Sequence, residues 1–230
     1  MLKLSKITLI SLACLSASIS TLTAFADSTD ADFDNPVAGV YFGAMGGMTS
    51  FDITSGDQSR TVSGQAYEFT PTKENFTGNV HAGSLWGLNN DFSLGAELGA
   101  TYWGSYKFEG SGATTGSASY AQETANMLFD FQWNVTSRIF LMPQIGVAIN
   151  IGSASGALTA GGVAVEGGVK YKLSPLVGLN LGFNVTPALS LYLSGQRLMG
   201  ESFDSSYEGF NQRLLESTAL NIGFNYNIGE

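Results

Sequence analysis

The 230 residues carry 10 basic and 19 acidic side chains, a formal net charge of −9, and only 13% of them are charged. Ordinary soluble domains carry roughly 25% charge, so a fully hydrated surface is poorly provided for here. With so few bases there is no stripe to neutralise phosphates, which excludes nucleic acid as a partner.

Met1 to Lys6 contributes two lysines, Ile7 to Leu22 is a mostly apolar run, and Ala24-Phe25-Ala26 is a small-x-small exit. Charge, a short apolar core and small residues in that order predict a cleaved secretory signal over 1–26. Removing 26 of the 230 residues leaves 204, enough for one domain, and losing Lys3 and Lys6 takes the net charge from −9 to −11. The single cysteine, Cys14, falls inside the signal, so the mature chain is expected to have no disulfide and no thiol chemistry. A lipoprotein reading of Cys14 is disfavoured: Ser11-Leu12-Ala13 lacks the usual leading aliphatic residue, and the apolar run continues past it.

Residues 27–35 form an acidic leader with Asp27, Asp30, Asp32 and Asp34. Its spacing lacks the glycine and bidentate glutamate of a calcium loop, so a solvated periplasmic tail is expected and no metal. From 36 to 230 no stretch reaches the ~20 consecutive apolar residues of a spanning helix. Instead the sequence alternates. Phe92, Leu94, Ala96, Leu98, Ala100, Tyr102, Tyr106 and Phe108 share one phase, while Ser93, Glu97, Thr101, Ser105 and Lys107 hold the other. Ile139, Leu141, Ile145, Val147, Ile149 and Ile151 likewise oppose Gln144 and Asn150, and Leu220, Ile222, Phe224, Tyr226 and Ile228 oppose Asn221, Asn225 and Asn227.

Eight strands are predicted, at about 37–51, 75–89, 91–108, 120–135, 138–152, 170–185, 188–199 and 213–229. Tight turns are expected at Asn89-Asn90-Asp91, Thr136-Ser137 and Thr186-Pro187, and long connections near 52–74, 109–119, 153–169 and 200–212. Asn134-Val135-Thr136 and Asn184-Val185-Thr186 repeat one motif, read as turn chemistry rather than as glycosylation sites. Pro143 and Pro175 interrupt strands, and a bulge is expected at each.

The pattern is that of an all-β, eight-stranded antiparallel up-and-down transmembrane β-barrel. Short turns then lie in the periplasm and long loops outside. A soluble calycin-like barrel, with the apolar face inward, is the alternative. It is disfavoured because Trp86, Phe92, Tyr102, Tyr106, Phe129, Trp133, Phe224 and Tyr226 cluster toward strand ends on the apolar face, as membrane-interface aromatics do.

Two segments carry a resemblance. They are Gly39-Val40-Tyr41-Phe42-Gly43-Ala44-Met45-Gly46-Gly47 and Leu94-Gly95-Ala96-Glu97-Leu98-Gly99-Ala100-Thr101-Tyr102, supported by the alternating last strand. Over nearly all of the mature chain, the sequence resembles small eight-stranded outer-membrane barrels of the OmpA-transmembrane, OmpX and opacity-like surface antigen type. The resemblance implies contact with outer-membrane lipids and lipopolysaccharide. It also implies handling by periplasmic chaperones and the barrel assembly machinery, and no cofactor. Such barrels usually end on an aromatic residue, whereas this sequence ends Ile228-Gly229-Glu230 with Phe224 and Tyr226 inboard. No peptidoglycan-binding segment is read in it.

On the polar face His81, Glu97 and Asp130 are expected at similar height, with His81 opposite Gly99 and Glu97 its diagonal neighbour. A proton-coupled gate or hydrolytic site is one reading of this cluster. A plug of mutually satisfied side chains is the other, favoured because interior side chains nearly fill an eight-stranded bore. Ser84 is three residues from His81, so the two face opposite ways. With one histidine in the chain, a serine triad is effectively excluded. Outer-loop contacts are expected from Phe51, Arg60, Tyr67 and Phe69 in the first loop and Phe203, Tyr207 and Phe210 in the last, mixed sets of the kind interfaces use. The expected function is structural, with adhesion to a host-surface ligand. A narrow pore is the first alternative and a lipid A-modifying barrel enzyme the second.

Overall fold

A computed structural model describes residues 39–52, 59–62, 65–68, 72–73, 76–109, 114–160, 163–165, 168–169, 173–200, 211–212 and 215–228. Residues 1–35, where the sequence predicts an export signal and an acidic leader, lie outside these residues. The long strands are β1 (Gly39–Phe51), β2 (Phe76–Gly87), β3 (Phe92–Glu109), β4 (Thr114–Asn134), β5 (Ile139–Asn150), β6 (Leu173–Asn184), β7 (Leu189–Leu198) and β8 (Ser217–Ile228). Each pairs antiparallel with its neighbours in sequence. β8 then returns to β1, from Val40 opposite Ile228 to Phe51 opposite Ser217, and closes the barrel. Closure satisfies the backbone laterally all the way round, which is the condition a sheet must meet to stand in lipid.

The three predicted turns are made by the residues singled out for them. The Asn89 side-chain oxygen accepts from the Asp91 and Phe92 amides. Thr136 Oγ1 accepts from the Arg138 and Ile139 amides, and Thr186 Oγ1 from the Leu189 amide. The repeated Asn-Val-Thr motif is therefore a turn device: the hydroxyl replaces a backbone acceptor where the chain reverses.

Period two then divides the wall. Met48, Phe76, Ile145, Leu220 and Ile222 are all at least 65% exposed and face outward, with Leu94, Leu98, Leu181 and Leu193 among the exposed apolar side chains around them. Facing inward are Asn79, Thr101, Gln122, Asn126, Gln144, Asn180, Ser194, Gln196 and Asn221, all buried. A continuous apolar belt of this extent far exceeds the few hundred Å² that soluble proteins expose. It is an outer surface built for hydrocarbon. Near the short turns it ends in paired rings, with Phe92 stacked on Phe131 at 5.5 Å and on Trp133 at 6.3 Å, and Phe42 tilted against Tyr226 at 5.5 Å.

Three expectations change. The prolines make no bulge: β5 and β6 keep one register through Pro143 opposite Leu179 and Pro175 opposite Val147. The ladder from β4 to β5 simply lapses between the Asp130–Gln144 and Trp133–Leu141 pairs, where proline has no amide to give. Pro175 lies just beyond the last β6–β7 pair, Leu176–Leu198, and its carbonyl accepts from the Met199 amide.

The bulge lies instead in β3, where Tyr102 faces Glu123 but Gly104 faces Gln122, leaving Trp103 as the extra residue. Gly104 has φ 114°, a conformation side chains disfavour, as glycine bulges require. One extra residue swaps the faces above it. Tyr106, expected at the membrane interface, is therefore inside the barrel and 3% exposed.

The outer connections hold more sheet than expected. β3 and β4 run up to Glu109 and Thr114, and the upper half of β4 pairs with Ser153–Ala160, which pairs in turn with Val163–Val165. The glycine- and serine-rich sequence around 153–169, expected as a long connection, includes these strands, because ladder pairing uses backbone groups that every such residue has.

Candidate functional site

The bore holds the most chemically concentrated set of side chains. His81 faces Gly99 across the β2–β3 ladder, and Asp130 faces Gly95 across the next. Glycines opposite large side chains are a general device here. A Cβ on Gly83 would stand 2.5 Å from the Tyr41 hydroxyl, one on Gly223 2.5 Å from Tyr192 Cζ, and one on Gly182 2.0 Å from Phe140 Cζ. Each ring lies over a neighbouring strand's bare backbone, which is how three rings fit a bore that side chains nearly fill.

Tyr41 is the hub. Its hydroxyl is 3.0 Å from Glu97 Oε2 and 2.9 Å from Asp130 Oδ2, as donor. A phenol has a single hydrogen, so two carboxylates converge on one donor. The Gln144 amide gives Asp130 a second donor at 2.8 Å. His81 Nε2 is 3.9 Å from Glu97 Oε2. Its two ring nitrogens are within hydrogen-bond distance of Asn79 Oδ1, at 2.6 Å, and Asn225 Oδ1, at 2.7 Å. Tyr192 packs beside it, hydroxyl 3.3 Å from Nε2. Thr101 accepts from the amides of Asn79 and Asn126 and ties β2, β3 and β4 together above the cluster.

The bore closes again toward its outer end. Tyr106 stacks on Tyr120 with centroids 5.4 Å apart, and Phe51 meets Tyr106 edge-on at 5.8 Å. Trp103, fully buried, donates to Thr124 Oγ1 at 2.8 Å. Gln122 reaches across to Leu215 and Ser217, donating to the Leu215 carbonyl and accepting from its amide. On the β6–β8 side Asn180, Ser194, Gln196 and Asn221 bring buried polar atoms with no protein partner among the described residues, a stretch suited to bridging water.

His81, Glu97 and Asp130 thus stand together in the bore, all at most 7% exposed. Trp86, Phe129, Trp133, Phe224 and Tyr226 point outward and are exposed, and Phe92 and Tyr102 are half-buried on the same wall. Tyr106 is moved inside by the bulge. Phe51 is not a loop contact: it is the last residue of β1, inward and 1% exposed, because it continues that strand's inward phase. Phe69, Phe203, Tyr207 and Phe210 lie outside the described residues, and Arg60 and Tyr67 are described only as backbone, in a hairpin of Ser59–Val62 with Gln65–Glu68. Ser84 and His81 are on opposite faces of β2. The sequence reading missed Tyr41, Tyr192, Asn79 and Asn225. A detectable signal existed, since all four occupy the inward phase of their strands.

No family model matches the chain, and no curated protein matches it. Among solved structures it is similar to Ail, the attachment invasion locus protein of Yersinia pestis, at 16% identity over 82% of this chain and 96% of that one, TM-score 0.39. It is similar to Neisserial surface protein A at 13% identity over 83% and 97%, TM-score 0.38. It is also similar to the outer membrane protease OmpT from Escherichia coli at 10% identity over 87% and 99%, TM-score 0.42. Closed antiparallel strands, an outward apolar belt and a polar interior make this chain an eight-stranded transmembrane β-barrel.

Proposed function

We propose that the barrel is a non-conducting, non-enzymatic membrane anchor that presents its outer segments for surface contact. The observation that carries this reading is the double closure of the bore, by the Tyr41–Glu97–Asp130–His81 network and by the Phe51–Tyr106–Tyr120 stack above it. Two layers of packed side chains across the bore interrupt any continuous file of mobile water for ions to follow. The separation of Ser84 from His81 across the wall supports the absence of hydrolytic chemistry. A barrel without a conduit acts through what it displays. The first and last outer loops, with Arg60, Tyr67, Phe69, Phe203, Tyr207 and Phe210, have the aromatic and charged composition of contact surfaces.

Two measurements test this. In planar bilayers the purified barrel is expected to show no unitary current steps, and Glu97→Ala with Asp130→Ala is expected to open a measurable leak. Steady wild-type channels would refute the closed bore. Separately, replacing residues 53–75 and 201–214 with Gly/Ser linkers is expected to abolish attachment of expressing cells to a cultured epithelial layer. Undiminished attachment by a variant that still folds would remove the adhesive role.

A further inference from the structure

The ladder between β7 and β8 ends at Leu198 opposite Ser217. Beyond that pair Met199 still bonds β6 through the Pro175 carbonyl, but Leu215 is held in another way. Its amide donates to Gln122 Oε1 at 2.9 Å, and its carbonyl accepts from Gln122 Nε2 at 3.0 Å. The same Nε2 lies 2.9 Å from Ser217 Oγ, which donates to the Leu215 carbonyl at 2.8 Å. A carboxamide carries the donor and acceptor of a peptide group. Gln122 therefore supplies from a side chain the two bonds that a next β7 residue would supply from backbone.

Gln122 stands on β4, with three long strands between it and β8 on either side, so its side chain is a strut across the bore. Its register partner in β3 is Gly104, the glycine of the bulge, which has no side chain to occupy it. Gln122 and Ser217 are fully buried, and Leu215 is 1% exposed. Glu216, between the two, takes the outer phase. Its carboxylate accepts from Arg197 Nε at 3.0 Å, while its carbonyl accepts from the Asp52 amide at 2.9 Å. The entry of β8 is thus gripped by an uncharged clasp inside and an exposed ion pair outside. Salt screens the exposed pair, so the buried clasp is the one that fixes position.

We propose that Gln122 is a positioning residue: it clasps Leu215 inside the outer end of the bore and so fixes the point at which the last outer connection enters β8. Without it a buried amide and carbonyl would lose their partners, which costs more than the bonds themselves. With it, the base of a contact surface on that connection is set before a partner arrives, and preorganisation of this kind strengthens binding. The effect on attachment rests on the surface-contact reading above; the clasp does not.

Amide exchange of Leu215, read by NMR on the whole barrel in detergent micelles, tests the clasp with two variants. Gln122→Leu keeps bulk and removes both bonds. Protection of the Leu215 amide is expected to fall about tenfold or more, while the Leu220 and Ile222 amides keep theirs. Gln122→Glu adds a pH signature. An uncharged carboxyl offers a hydroxyl donor and a carbonyl acceptor in place of the carboxamide, whereas a carboxylate only accepts and opposes the Leu215 carbonyl. Corrected for intrinsic exchange, its protection is expected near wild type at about pH 4 and lost at about pH 8. Asp52, Glu123, Arg197 and Glu216, the charged groups nearby in sequence or across the wall, are common to both proteins, so wild type at each pH is the reference. Unchanged protection in folded Gln122→Leu, or a Gln122→Glu profile parallel to wild type, overturns the clasp. Gln122→Glu, assembled at acid pH, decides alone if Gln122→Leu does not fold. Cells expressing Gln122→Leu with intact loops are expected to attach about fivefold less. Full attachment despite lost Leu215 protection overturns the positioning role, whereas full attachment after replacement of the loops themselves overturns the surface-contact reading instead.

Discussion

Replacing Tyr41 with phenylalanine is expected to lower the melting temperature of the barrel sharply while leaving it able to fold. The hydroxyl is the donor on which Glu97 and Asp130 converge, and the ring itself remains over Gly83 in the variant, so packing is preserved. What is lost is a buried hydrogen bond to a charged acceptor, about 1.5–3 kcal/mol. In a domain of this size each kcal/mol moves the midpoint by about 2–4 °C, so the expected drop is about 3–12 °C. Two carboxylates are also left facing each other with no shared donor. Asp130→Asn in the Tyr41→Phe background should recover most of the loss, because it removes one acceptor and supplies an amide N–H toward the other. Thermal melting followed by unboiled gel mobility checks both. Identical melting of wild type and Tyr41→Phe would show that the bore cluster contributes nothing to stability.

A larger effect is expected at the closing seam. Gly47 faces Asn221 in the β1–β8 ladder, and a Cβ there would fall 2.0 Å from the Leu220 carbonyl oxygen and 2.7 Å from Asn221 Cα. These are backbone atoms and cannot rotate away. Gly47→Val must therefore push apart the two strands that close the barrel, at a cost of more than about 3 kcal/mol. An open edge in lipid is not a tolerable alternative, since its amides and carbonyls would lack partners. The expected result is loss of the heat-shifted gel species and of membrane-inserted protein. Gly46 provides the control. It points outward, and its Cβ would meet only the Thr77 carbonyl at 3.7 Å, so Gly46→Ala should assemble normally. Full assembly of Gly47→Val would mean that the seam tolerates a wider register than the ladder implies.

These two experiments also divide what could be read from sequence from what could not. Eight strands and three turns were legible because alternation and turn chemistry are local. Leu94 against Ser93 reveals a two-faced strand without reference to any partner, and Thr136 or Thr186 caps its own reversal. The outward direction of the apolar face was legible as well, because the opposite face could not clothe a soluble surface. His81, Glu97 and Asp130 were found together because each could be placed by counting from a tight turn.

Counting failed at Trp103. A bulge is one unpaired residue, and nothing in Tyr102-Trp103-Gly104-Ser105 states which neighbour is left out; the pairing of β3 with β4 decides it. Tyr106, counted outward, is inward because of it. The hub of the bore was hidden for a related reason. Tyr41 meets Asp130 across 89 residues of sequence, and His81 meets Asn225 across 144. The sequence by itself determined strand, turn and face, which depend on neighbours along the chain. Only the closed barrel decided which inward side chains meet, because closure brings β1, β4 and β8 around a common axis, and that distance is set by the whole wall.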